Sequence, residues 1–404
     1  MTLIVQKYGG SSVADPDKIK NVAKRVIESR KKGYRVVVVV SALGNATDEL
    51  IKLAHMMASR PSERELDVLI STGEQISSAL LAMAIQELGY DAISFTGVQV
   101  GIVTDSLHTK AKILKIGGRR IEKALGEDKI CIVAGFQGVD VNEDITTLGR
   151  GGSDITAVAL AAVLGAQVCE IYTDVEGVYT ADPRVVPDAR KIDLLSYEEM
   201  FELASAGARV LESRSVEFAQ KYQVPIHVRS SFSNKEGTRV MGEMSDLERV
   251  VVSGVTSQTD EAKVSVLKVP DKPGIAAKLF GAIAAEGIVV DMIIQNISEG
   301  GTTDVSFTVL QGDLSKTMEV SERIASEIGA EGVSADEDIA KVSIVGVGMR
   351  THSGVAAKMF EVLAGEDINI EMISTSEIKV SCIIRQEDVE CAVVALHRAF
   401  GLGG

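Results

Sequence analysis

Five valines in a row, Val36 to Val40, constrain this fold more than any other stretch of the chain. β-Branched side chains favour extended backbone, and a strand that is apolar at every position has both faces covered. A shorter strand, Leu3 to Lys7, comes first, followed by Asp15 as N-cap and Pro16 at the first helical position. Ile19, Val22, Ala23, Val26 and Ile27 recur at helical spacing, and Gly33 stands where a terminating glycine belongs. The opening is therefore β-α-β, and such a crossover makes its two strands parallel.

The alternation continues with a helix over Glu65 to Leu88, strands at Ala92–Phe95 and Ile130–Ala134, and a helix from Ile155 to Leu164. A strand at Val168 to Tyr172, a helix from Tyr197 and a last strand at Val224 to Val228 complete it. This predicts the α/β class: a three-layer αβα domain with a mainly parallel sheet over residues 1–245. With 404 residues the chain exceeds one ordinary core. The remainder reads as strand Lys263–Val269, turn Asp271–Gly274, helix Ile275–Glu286, and strands Ile288–Ile293 and Val305–Leu310. It then repeats. Gly274-Ile-Ala-Ala-Lys-Leu-Phe280 aligns without gaps on Gly354-Val-Ala-Ala-Lys-Met-Phe360, and the match runs on to Met292-Ile293 and Met372-Ile373. Two small α+β units follow the large domain.

The formal net charge of -15, from 42 basic and 57 acidic residues, argues against nucleic acid and against an anionic membrane surface. No run is read as a membrane span or a signal peptide. Cys131, Cys169, Cys382 and Cys391 lack metal-ligand spacing and read as reduced core thiols of a cytoplasmic protein. The five histidines show no ligand spacing either, so no protein-held metal is predicted. GxxxxGK[ST], HExxH, GxSxG and CxxC motifs are all absent.

Four glycine-rich points fall beside predicted strand ends: residues 9–12, 41–44, 135–138 and 149–154. Ligands of open parallel sheets bind beyond the carboxyl ends of the strands, where glycines let backbone approach an anion. Any one of these could be an ordinary turn; four together indicate a phosphate-bearing ligand. Lys7 closes the first strand two residues before Gly9 and Gly10, where its charge would meet a transferring phosphoryl group. A surface lysine at a strand end is the alternative.

Lys7-Tyr-Gly-Gly-Ser-Ser12, Val40-Ser-Ala42, Gly135-Phe-Gln-Gly138 and Thr147-Leu-Gly-Arg-Gly-Gly-Ser-Asp154 resemble signature segments of the aspartate kinases. So do Thr173-Asp174, Gly177-Val-Tyr-Thr-Ala-Asp-Pro-Arg184 and Arg214-Ser-Val-Glu217, and the repeat resembles that family's tandem ACT domains. The resemblance runs end to end. It implies transfer of the ATP γ-phosphoryl, with Mg2+, to the β-carboxylate of L-aspartate, at the head of lysine, threonine and methionine biosynthesis. Lys7 and Asp154 would then be the catalytic pair, with Asp154 orienting the lysine. Gly9, Gly10, Ser41, Thr173, Asp174, Tyr179, Asp182, Arg184 and Arg209 would serve ATP, although the family favours lysine at the position of Arg209. Thr47, Glu74, Arg150, Gly151, Gly152 and Ser153 would hold aspartate, with Arg150 on the α-carboxylate and Glu74 on the ammonium.

Asp271, Gly274, Ile275, Ala276, Gln295 and Asn296 form the implied effector site, for lysine, threonine or both. The second repeat has Arg350-Thr-His352 in place of Asp-Lys-Pro, leaving ligand binding or a structural role equally open there. By the same resemblance the ACT units span 262–338 and 250–258 plus 339–404, and they pair into a homo-oligomer. A separate short regulatory subunit could start at Met241 or Met244. The competing readings are another kinase of the same superfamily and a non-catalytic amino-acid sensor.

Overall fold

The valine strand, Arg35–Val40, is almost wholly buried over Val36 to Val40 because neighbours flank it on both edges and helices cover both faces. It pairs in parallel with Leu3–Tyr8 on one side and Ile130–Ala134 on the other. The full sheet has eight strands in the order Leu194–Ser196, Thr238–Met241, Ile226–Ser230, Val168–Thr173, Leu3–Tyr8, Arg35–Val40, Ile130–Ala134, Ala92–Phe95. Thr238–Met241 runs antiparallel to Ile226–Ser230, and Leu194–Ser196, parallel to Thr238–Met241, shares its direction. The structure is a computed structural model, and it describes residues 1–208, 210–242, 251–295, 300–350 and 352–404.

The chain divides into two units. The first contains Met1–Val178, Lys191–Ser205 and the described part of 209–246, and holds the eight-stranded sheet. Its helix Pro16–Lys31 begins as the sequence reading has it, with Asp15 accepting from the Lys18 N–H at 2.9 Å. The predicted helix at Glu65 to Leu88 is instead two helices, Glu63–Ile70 and Thr72–Glu87. They part at Ser71, whose hydroxyl bonds back to the Val68 carbonyl while its own carbonyl accepts from Gln137 Nε2 at 2.7 Å. The 25-residue stretch from Glu63 to Glu87 is long and apolar enough to cross a membrane by length and composition, contrary to the sequence reading, but half of its apolar 18-residue window is buried in this unit. Two further corrections apply. Ile226–Ser230 is not the last strand, since Thr238–Met241 follows, and a second sheet was unforeseen. That sheet consists of Ile113–Ile116, Ile102–Thr104, Gln137–Val139 and Ile145–Thr147.

The second unit contains Tyr179–Arg190, Ala206–Ala208 and the described part of 247–404. It carries two four-stranded sheets, each backed by two helices with an aliphatic core between. One sheet orders Ile293–Gln295, Thr302–Leu310, Glu261–Pro270 and Gly332–Asp336, backed by Ile275–Ala285 and Leu314–Ile328. The other orders Gly254–Gln258, Ile339–Val345, Lys379–Arg385 and Met372–Thr375, backed by Val355–Gly365 and Val389–Ala399. The strand preceding the first repeat thus pairs with the second, antiparallel to Ile339–Val345. The strand placed at Ile288 to Ile293 begins at Ile293. Cys131, Cys169 and Cys382 are buried thiols, but Cys391 is exposed, with its Sγ 3.5 Å from Glu366 Oε2.

Candidate active site

Lys7 lies one residue before the end of the central strand Leu3–Tyr8, and its Nζ sits 2.6 Å from Asp154 Oδ1. Asp154 occupies the first turn of helix Gly152–Leu164, so a carboxylate and a helix N-terminus face the same lysine. The N-cap of that helix is Gly151, so Asp154 does not serve as its cap.

The glycine loop packs around this pair. A methyl group on Gly10 would stand 2.7 Å from the Gly44 carbonyl oxygen, so only glycine admits the close approach of these two loops. The Gly9 N–H donates to the Tyr172 carbonyl at 3.2 Å, so Gly9 supplies room beside the lysine and not a spare donor. Ser41, just past the valine strand, donates its N–H to the Tyr8 carbonyl. Gly135 backs onto Ser153 and Val39, and the next residue, Phe136, takes the left-handed backbone at φ 70 that disfavours a side chain. Strained backbone of this kind gathers at functional sites.

Glu74 enters from the start of helix Thr72–Glu87 and is 3% exposed. Its Oε1 accepts from the Ala42 N–H at 3.1 Å, whereas Oε2 is buried and finds no partner among the described residues. Burial pushes the Glu74 carboxyl up to about 7, against the opposing pull of backbone hydrogen bonds. A buried carboxylate oxygen without a donor is costly unless a ligand supplies a cation. Ala42 connects the two halves of the site: its N–H holds Glu74, and its carbonyl lies against Gly10.

Arg150 is exposed, on the loop between Thr147 and Gly152. Thr47 is half-buried on helix Ala46–Met57, which the sequence reading had not delimited. Thr173 ends the strand Val168–Thr173 and donates to Asp174 at 3.1 Å. Lys7, Gly9, Gly10, Ser41, Glu74, Gly135, Ser153 and Asp154 are thus brought to one end of the sheet. Tyr179, Asp182 and Arg184 fall instead in the second unit. There Arg184 forks onto Asp182, holding that carboxyl below its usual range. The same segment is tied down by Thr180, whose hydroxyl lies 2.9 Å from His397 Nε2. Arg209 lies outside the described residues.

Three residues were not singled out from sequence. Glu212 and Arg214 flank the Arg150 loop, and burial pushes the Glu212 carboxyl up, helped by the nearby Asp154 charge. Asp67, fully buried, accepts from Thr147 Oγ1 and the Thr109 N–H. Arg214 stood in a family signature segment, which was the available signal; nothing marked Asp67.

In the second unit a cavity of about 330 Å3 is lined by Asp271, Lys272, Gly274, Ile275, Ala276 and Gln295, among others. Gly274, at φ 92, is the N-cap of helix Ile275–Ala285. Asn296 lies outside the described residues.

A lysine–aspartate pair at a glycine-rich sheet end, followed by paired α+β units, defines a regulated phosphotransferase of small carboxylates, and comparison places it. Residues 2–230 match the model of the amino acid kinase family, and residues 264–327 and 342–400 each match an ACT domain. Within that class the chain belongs to the aspartokinases. It is 53% identical to the aspartokinase of Mycolicibacterium smegmatis, covering 100% of this chain and 97% of the relative. It is equally 53% identical to that of Pseudomonas aeruginosa, over 100% and 98%. Among solved structures, E. coli aspartokinase III in complex with aspartate and ADP aligns at TM-score 0.86 and 27% identity, covering 98% of this chain and 99% of that one. The same enzyme in complex with lysine and aspartate aligns at 0.74 and 26%, with the same coverage.

Proposed function

We propose that the chain transfers the γ-phosphoryl of ATP to the β-carboxylate of L-aspartate, giving 4-phospho-L-aspartate, and that the sheet-end residues divide the work. The observation that carries this reading is the unpartnered buried Oε2 of Glu74, set across Ala42 from the glycine loop beside Lys7. An ammonium group is the ligand it selects, so the acceptor is an amino acid and not a simple carboxylic acid. Arg150 grips the α-carboxylate, since a guanidinium matches a carboxylate through two parallel hydrogen bonds. With both ends held, the β-carboxylate points to the phosphate.

The nucleophile is already an anion, so no side chain needs to remove a proton. Catalysis rests on alignment and on charge neutralisation of the transferring group. Lys7 supplies the cation, and Asp154 keeps its Nζ in place at 2.6 Å. Thr173 and Asp174 are proposed to stand on the nucleotide side. Among the described residues no cluster of three or more His, Cys, Asp or Glu could hold a metal. Mg2+ is proposed to arrive with ATP, carried by the nucleotide phosphates with one or two carboxylates.

The cavity beside Gly274 is proposed as the site where lysine or threonine, products of the pathway this reaction would open, feed back on activity. The helix N-terminus there favours a carboxylate. The ACT units are proposed to pair between subunits. A hydroxylamine trap for acyl phosphate tests the reaction. Hydroxamate should form with aspartate, ATP and Mg2+ together, and not with glutamate or acetylglutamate. Absence of hydroxamate from the folded, purified chain would end the reading.

A further inference from the structure

Arg150 is flanked by two glycines in left-handed backbone, Gly149 at φ 77 and Gly151 at φ 67. Left-handed glycines offer little resistance to rotation, so the position of the Arg150 guanidinium is set by whatever grips the loop on either side. Downstream the loop enters helix Gly152–Leu164, whose first ten residues are buried. Upstream it leaves the short strand Ile145–Thr147 of the smaller sheet.

One segment grips both sides. Arg214, in the first turn of helix Ser213–Tyr222, donates from Nη1 to the Leu148 carbonyl at 2.7 Å and from Nη2 to the Ala111 carbonyl at 3.1 Å. Leu148 is fully buried, and its N–H is taken by the Phe136 carbonyl at 2.9 Å. The residue before Gly149 is therefore fixed at both its backbone groups. Two positions earlier in the segment, the Glu212 side chain lies directly on Gly151. A methyl group there would come within 2.3 Å of Glu212 Cβ. From the far side, Asp67 accepts from Thr147 Oγ1 at 2.5 Å.

We infer that the segment Glu212–Arg214 is a brace for the substrate clamp, and that Arg214 is a positioning residue that sets the affinity for aspartate without touching it. The inference rests on the reading of Arg150 as the clamp of the α-carboxylate. Its geometry explains why arginine is needed: two carbonyls on separate strands of chain are spanned by one rigid fork, which an ammonium cannot reproduce.

The test compares Arg214→Lys, Arg214→Met, Glu212→Ala and Arg150→Lys in the full chain, with KM for aspartate, KM for ATP, kcat and thermal midpoint measured for each. Both Arg214 variants should raise KM for aspartate about tenfold or more, with KM for ATP within about twofold of the parent. Glu212→Ala, which leaves Arg214 in place, should move the same constant in the same direction and carries the test if an Arg214 variant does not fold. If Arg150→Lys raises KM for aspartate while the folded Arg214 and Glu212 variants do not, the brace is refuted and the clamp stands. Parallel rises in both KM values would show general damage and refute it too. If Arg150→Lys leaves KM for aspartate unchanged, the clamp itself is wrong and the brace falls with it.

Discussion

Replacing Lys7 should separate two quantities that normally fall together, stability and rate. The Lys7 and Asp154 side chains are 12% and 9% exposed and lie 2.6 Å apart. At an effective dielectric of about 20, two unit charges at that distance attract by about 6 kcal/mol, and desolvating the two ions offsets most of it. Lys7→Met removes the attraction and leaves the Asp154 carboxylate buried alone, which should cost about 3–5 kcal/mol of stability. Lys7→Met combined with Asp154→Asn removes both charges, so most of that loss should return. Activity behaves differently. Without the lysine, the charge on the transferring phosphoryl goes unneutralised, and kcat should fall about 10²–10³-fold in the single and the double variant alike. Unfolding of the first unit can be followed in urea by near-ultraviolet circular dichroism, because Tyr8 and Tyr172 stack at 4.7 Å in its core and the chain has no Trp to mask them. Rate is read as hydroxamate formed. A single variant within tenfold of parental kcat, or a double variant no more stable than the single, would refute the assignment of Lys7 as a buried working cation.

Three further outcomes follow from named groups. The Glu74 carboxyl, pushed up to about 7, keeps its proton in the native state while the unfolded chain has lost it, so stability should fall as pH rises from about 4.5 to about 7, by about 3 kcal/mol in total. The ionised form binds the substrate ammonium, so kcat/KM for aspartate should rise through about pH 7; the same limb persisting in Glu74→Gln would show that Glu74 is not its source. Gly274→Ala should strain the helix entrance by about 1–2 kcal/mol, because its φ of 92 is left-handed although nothing crowds the new methyl, and should weaken feedback by the effector in an inhibition titration. Lys341, 2% exposed and 2.5 Å from both Glu261 Oε1 and Asp291 Oδ2, balances a buried carboxylate; Lys341→Met should lower the stability of the second unit by about 3–5 kcal/mol in thermal unfolding, and an unchanged midpoint would place that cluster in solvent.

What could be read from the sequence, and what could not, follows from the range of the forces involved. The valine strand, the capped first helix and the gapless repeat are local signals, and the large sheet's parallel core and both α+β units were readable from them. The gathering of Lys7 and the glycine loops at one end of the sheet was readable too, because they sit at strand ends that periodicity locates. The smaller sheet was not. Its strands have only three or four residues, too few to show alternation, and they pair across gaps of up to about 35 residues. The break at Ser71 was hidden for a similar reason, since it depends on Gln137, 66 residues away.

The consequence reaches the chemistry. Lys7 and Asp154 are held by the sheet and a long buried helix, elements that any sequence of this pattern would build. The Arg150 loop is held by groups that periodicity does not announce: the carbonyls of Leu148 and Ala111, a guanidinium from a distant helix, and the buried Asp67 of helix Glu63–Ile70. On the proposed assignment, phosphoryl chemistry rests on the rigid framework, while selection of the amino acid depends on a loop steadied from outside. A change of acceptor should therefore arise more readily through the residues that brace the Arg150 loop than through those that line the glycine-rich edge.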